Sequence, residues 1–144
     1  MRPHKGMRVL GVDPGEKHLG LAVSDATGLI ARPLATFQHT AMSRDAQDIA
    51  KLAAEHQAEL IVVGWALDSD GRPGPSARHA ERLADELRRQ TAVRVVLHDE
   101  SFSSMAGDDA MRVSGKKRRA RQANIHAASA AALLQSYLDM VHRE

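Results

Sequence analysis

The sequence predicts an α/β domain whose mixed sheet is covered by helices on both faces. Three observations carry that expectation. Two strand-length apolar runs near the start, residues 8–13 and 18–25, are joined by an Asp13-Pro14-Gly15 turn, so the sheet opens on an antiparallel pair. Two later runs, 60–64 and 93–97, flank a helical pattern, and such a crossover makes its two strands parallel neighbours. Amphipathic segments then alternate with strands and finish the chain, the pattern of a layered α/β unit.

Each element has its own local reason. Residues 31–38 follow the Thr27-Gly28 turn and read as a third strand. Ile49, Leu52 and Ala53 share one face of a first helix, with Ser43 as its expected N-cap and Asp45 in the first turn, where the helix dipole favours a carboxylate. The run Leu60-Ile61-Val62-Val63-Gly64 is continuously apolar, as in a strand buried on both faces. The segment 68–75 holds Asp68, Asp70, Gly71, Pro73, Gly74 and Pro75 and is a loop by its turn chemistry. Ser76 is the expected cap of a second helix, with Ala77, Ala80, Leu83, Ala84 and Leu87 on one side. A short helix is expected from Ser103 or Ser104 to about residue 113. The last helix, over about 122–142, repeats Ala127, Ala130, Ala131, Leu134, Leu138 and Val141 at helical spacing, and its small residues suit close packing on a sheet.

Composition narrows the function classes. A length of 144 residues, 43% of them hydrophobic, suits one core, with 1–7 as a short extension and 8–144 as a single domain. No apolar stretch is long enough to span a bilayer and the start lacks a signal-like apolar core, so a cytoplasmic protein is expected. The absence of cysteine excludes thiolate ligands and nucleophiles, leaving oxygen and imidazole donors for any metal. With one Trp, one Tyr and two Phe, the chain is poorly supplied for stacking on bases. The formal charge is only +2, yet Lys116, Lys117, Arg118, Arg119 and Arg121 crowd one segment that could neutralise backbone phosphates.

Asp13 ends the first strand at a forced turn, which presents one carboxylate at the rim of the sheet, where it can hold a metal or orient a water. Lys17 follows on the approach to the second strand, where it could meet a phosphate or pair with that carboxylate.

The runs Gly11-Val12-Asp13-Pro14-Gly15-Glu16-Lys17-His18-Leu19-Gly20-Leu21-Ala22-Val23-Ser24-Asp25, Ile61-Val62-Val63-Gly64, Asp70-Gly71, Asp99-Glu100 and Leu134-Gln135-Ser136-Tyr137-Leu138-Asp139 resemble, in order and spacing, the YqgF family, also called RuvX. The likeness covers nearly the whole chain after Gly6. It implies a ribonuclease H-like fold with a five-stranded sheet in the order 3-2-1-4-5. It also implies a Holliday junction resolvase-like nuclease associated with maturation of the 5′ end of pre-16S rRNA. Such a site uses divalent cations, to which hard carboxylate oxygens are suited.

Two departures from the family pattern bear on chemistry. Where the family reads Asp-Glu-Arg, a hydrophobic residue and Thr-Thr, this chain has Asp99-Glu100-Ser101-Phe102-Ser103-Ser104. Counting thirteen positions back from Asp139 places His126 where the family carries an acid. The resemblance therefore implies Asp13, Glu100 and His126 as catalytic and metal-holding residues, with Asp70 and Asp99 in reserve. An imidazole in place of a carboxylate tilts the cation from Mg²⁺ toward Mn²⁺. Lys17, Ser103, Ser104 and the basic segment are the expected contacts to nucleic acid.

The expected substrate is structured RNA. The alternatives are a resolvase acting on branched DNA, for which a homodimer would supply paired sites, and a binding factor of ribosome assembly that cuts nothing. An actin-like ATPase also places an acid and glycines after its first strand, but needs two related domains.

Overall fold

The computed structural model describes residues 6–100 and 118–143. The expected short helix beginning at Ser103 or Ser104 lies outside them. The described chain runs β1 (Val9–Pro14), β2 (His18–Ser24), β3 (Ala31–Gln38), α1 (Met42–Glu55), β4 (Leu60–Trp65), α2 (Pro75–Gln90), β5 (Arg94–Asp99) and α3 (Arg118–His142). The five strands form one sheet in the order β3-β2-β1-β4-β5. β1 pairs antiparallel with β2, and β2 with β3, whereas β4 runs parallel to both β1 and β5.

The pleat sorts the strand residues between two layers. Leu10, Val12, Leu19, Leu21, Val23, Ile61, Val63 and Val95 meet Ile49, Ala53, Ala80, Leu83 and Leu87 of α1 and α2 in one core. Val9, Ala22, Leu60 and Val62 meet Ala130, Leu134, Tyr137 and Leu138 of α3 in the other. The apolar stripes read from helical spacing are thus the buried faces. The rear of α3 also ties down the β2–β3 connection: the Gln135 side chain accepts from the Ala31 N–H at 2.9 Å and donates to the Leu29 carbonyl at 2.9 Å.

Three expected boundaries are corrected. Ser43 does not cap α1; the N-cap is Ala41, and Ser43 sits inside the first turn. The carboxylate of Asp45 reaches back instead, accepting from the Thr40 N–H at 3.2 Å and from the His39 ring, and is almost fully buried there. Ser76 does not cap α2 either, because Pro75 occupies the start of that helix and Gly74 its N-cap. Proline suits this position since its missing N–H would have lacked a helical partner. Finally, α3 (Arg118–His142) is already helical at Arg118, ahead of the expected start near residue 122, so the end of the basic run belongs to the helix.

Candidate active site

Asp13 lies on the α3 side of β1, directly opposite Gly20 of β2. Parity on that pleat also assigns His18, Gly20, Gly64 and His98 to the α3 side. Glu100 follows His98 by two residues and its N–H donates to the Trp65 carbonyl at 2.9 Å, extending the β4–β5 ladder past Asp99. Glu100 therefore faces the side of Asp13, and Asp99 the other.

Two strand spacings, about 10 Å, separate β5 from β1, and the side chain of Glu100 must cross β4 to reach Asp13. It crosses at Gly64. A Cβ at Gly64 would overlap the Glu100 Oε2 and stand 2.8 Å from Leu133 Cδ2. The missing side chain is the space through which the second carboxyl group joins the first.

The two acids are hydrogen-bonded to each other. Burial, the charge of Asp13, the shared hydrogen bond and the charge of Asp99 push Glu100 up to about 9. Asp13 is raised by burial, while the Glu100 hydrogen bond and the charge of His126 act to lower it. At neutral pH Glu100 thus holds the proton and donates it to the Asp13 carboxylate. A site that binds a proton between two acids also suits a cation there, because positive charge relieves the same repulsion.

His126 enters from α3. A Cβ at Gly20 would overlap the His126 carbonyl, so β2 and the main chain of α3 touch at this point. The His126 ring stacks on that of His18, with centroids 4.9 Å apart and an interplanar angle of 22°. Asp13, Glu100 and His126, distant in sequence, converge here. Among the described residues, no group of three His, Asp or Glu is arranged to hold a metal ion, so the acids stand as a proton-sharing pair with an imidazole nearby. By chemistry the donors still fit a divalent cation: two carboxyl groups that repel when charged, and an imidazole.

The reserve acids are placed differently. Asp70 is exposed in the loop after β4, and that loop is organised by Asp68, whose carboxylate accepts from the N–H groups of Asp70 at 3.1 Å and Arg72 at 2.9 Å. Asp13 feels the charge of His126, and Glu100 those of Asp13 and Asp99. Asp99 ends β5 and contributes through its charge. Lys17 is exposed on the β1–β2 turn. Arg118, Arg119 and Arg121 occupy the first turns of α3, two helical turns before His126. Ser103, Ser104, Lys116 and Lys117 lie outside the described residues.

Sequence reasoning missed His18 and Gly64. The pleat period carries a signal for both: His18 is two residues before Gly20, and Gly64 is the α3-side residue that ends an otherwise bulky run. A further cavity of about 260 Å³ opens between the β1–β2 turn and the start of α2, lined by Gly15, Glu16, His39, Ser76 and His79.

A family model described as RuvX, Holliday junction resolvase, matches residues 7–140. The chain belongs to the RuvX family. A relative from Anaeromyxobacter sp. (strain Fw109-5), named "Putative pre-16S rRNA nuclease", is 38% identical over 136 residues, covering 94% of this chain and 99% of the relative. A protein of the same name from Halalkalibacterium halodurans is 37% identical, covering 92% of this chain and 96% of its own length. Among solved structures, Thermus thermophilus RuvC in complex with Holliday junction substrate superposes with a TM-score of 0.59 at 17% identity, covering 95% of this chain and 96% of that one. The fowlpox virus resolvase bound to Holliday junction DNA gives 0.55 at 13% identity, covering 94% and 99%. These likenesses establish the ribonuclease H-like fold for this RuvX chain.

Proposed function

We propose that this protein is a divalent-cation-dependent nuclease that hydrolyses phosphodiester bonds in structured RNA, with the 5′ end of pre-16S rRNA as its substrate. The observation that carries the reading is the half-buried Asp13–Glu100 carboxyl pair with His126 beside it, at the end of β1. The names of the curated relatives, 33–39% identical over most of the chain, favour RNA.

Asp13 and Glu100 would hold the cation, with His126 as a third donor or as the base that takes a proton from the attacking water. The bound cation supplies activation of that water and stabilisation of the leaving oxygen. Binding of a cation would displace the Glu100 proton to solvent, leaving Glu100 as a carboxylate donor. An imidazole among the donors makes Mn²⁺ the better fit than Mg²⁺. Lys17, the start of α3 and the basic run before it would grip phosphates, which positions the backbone without reading sequence.

The description of the matched family supports a second reading, cleavage of branched DNA. Two copies would then be needed to cut both strands of a junction. The test uses purified protein with Mn²⁺, Mg²⁺ or EDTA on a structured RNA, its 2′-deoxy counterpart and a four-way DNA junction, with Asp13→Asn as control. Cation-dependent cutting of the RNA alone, lost in Asp13→Asn, is the expected result. Cutting of the junction by a dimer would favour the resolvase. Binding without cutting under either ion would make the protein an assembly factor.

A further inference from the structure

We propose that His18 is a positioning residue of the site: its ring, stacked on that of His126, holds the His126 imidazole toward the Asp13–Glu100 pair. This rests on the nuclease reading for its effect on cleavage, but its structural content stands apart from it.

The main chain of His126 is held at the one point where β2 has no side chain, since a Cβ at Gly20 would overlap the His126 carbonyl. That contact sets where the residue begins, not where its ring points, because rotation about two side-chain bonds remains. His18 lies two residues before Gly20 on the same side of β2, and the rings meet at 4.9 Å between centroids with 22° between planes. One strand therefore supplies both restraints: Gly20 seats the backbone and His18 aligns the ring. The same strand is in register with the acid, because Asp13 pairs directly with Gly20.

Among the described residues His18 is exposed at the start of β2 and belongs to neither apolar core. Stacking of flat rings depends on shape and contact, not on a titrating nitrogen. This distinguishes an aligning ring from a further cation ligand, and the distinction decides the choice of variants.

The full-length protein is compared with His18→Ala and His18→Phe; phenylalanine keeps the flat ring and removes both nitrogens. Three readouts are taken: the His126 side-chain rotamer populations from NMR couplings in the cation-free protein, Mn²⁺ affinity by calorimetry, and cleavage separated into kcat and KM. In His18→Ala the His126 ring should populate more than one rotamer, Mn²⁺ affinity and kcat should fall roughly tenfold or more, as for other residues that orient a ligand, and KM should change little. His18→Phe should keep the single rotamer and stay within about threefold of wild type, on the same reasoning. An unchanged single His126 rotamer in His18→Ala would overturn the proposal. So would a His18→Phe protein as impaired as His18→Ala, which would make a nitrogen of His18 the active element. If the wild type neither binds Mn²⁺ nor cleaves, the nuclease reading fails, and the NMR comparison alone then decides the alignment.

Discussion

Glu100 reaches Asp13 by lying across Gly64, the residue of β4 that carries no side chain. Three strands are thereby coupled at one point: β1 offers the first acid, β5 leads into the second, and β4 leaves the gap. Gly64→Ala fills that gap with a methyl group that overlaps the Glu100 carboxyl and crowds Leu133. We expect a stability loss of about 1–3 kcal/mol, typical of overpacking, and a larger fractional loss of cleavage. Thermal unfolding and cleavage assays on one preparation check both. Wild-type activity in Gly64→Ala would mean that the carboxyl group does not occupy that space.

Stability should also fall as pH rises through the neutral range, and Glu100 is the reason. Its folded-state value of about 9 lies above its ordinary one, so the folded protein binds more protons than the unfolded chain between about 4.5 and about 9. The contribution is fully present below the unfolded value and is lost as pH climbs toward 9. Glu100→Gln keeps a donor toward Asp13 but cannot ionise, so it should flatten this alkaline slope while abolishing cleavage. Denaturant midpoints across pH 5–9 provide the measurement. An unchanged slope would show that Glu100 is not held protonated.

On the acid side the sign reverses at His79. Burial lowers this histidine, helped by the nearby His39 and Arg82, and its Nε2 is buried without a hydrogen-bond partner among the described residues. Stability from keeping it neutral is present above about 6.5, the ordinary histidine value, and is lost as pH falls through the lowered one. His79→Leu should reduce this loss and leave stability at pH 8 unchanged or higher, since no unpaired nitrogen remains. The same midpoints, extended to pH 4.5, test it; a steeper acid loss in the variant would refute the assignment.

Gly20 predicts a different kind of failure. A methyl group there meets the main-chain carbonyl of His126, which cannot swing aside as a side chain can. Gly20→Ala should therefore cost at least as much as ordinary overpacking, about 1–3 kcal/mol, and should displace α3 from the sheet. Hydrogen exchange along α3 is expected to accelerate while α1 and α2 keep their protection. Uniform acceleration across all three helices would count against a local contact.

Asp45 holds the start of α1 in place of a serine cap. Its buried carboxylate serves both His39 and the Thr40 N–H. Asp45→Ala should lower stability by about 1–3 kcal/mol, whereas Ser43→Ala should change little, because Ser43 is not the cap. Equal losses in the two variants would contradict this division of roles.

How much of this could be read before folding differs from residue to residue. Asp13 was legible because a carboxylate after an apolar run and before Pro14-Gly15 can only sit at a strand end. The faces of α1, α2 and α3 were legible because helical spacing and burial report the same stripe. Ser43 and Ser76 misled, since a capping residue type marks a helix start only to within a residue or two, and Asp45 and Pro75 compete for the same ends. Glu100 was named from family resemblance, but its distance from Asp13 left its reach open; the answer lay in Gly64, on a third strand.

The chain by itself determined the alternation of strands and helices, the buried stripes and the acid at the end of β1, because each depends on neighbours within a few residues. Only the tertiary structure decided that Glu100 bonds to Asp13 across Gly64, and that His126 meets Gly20 and His18. Those relationships depend on strand order and pleat parity acting together, and a single sequence carries no direct term linking positions nearly ninety residues apart.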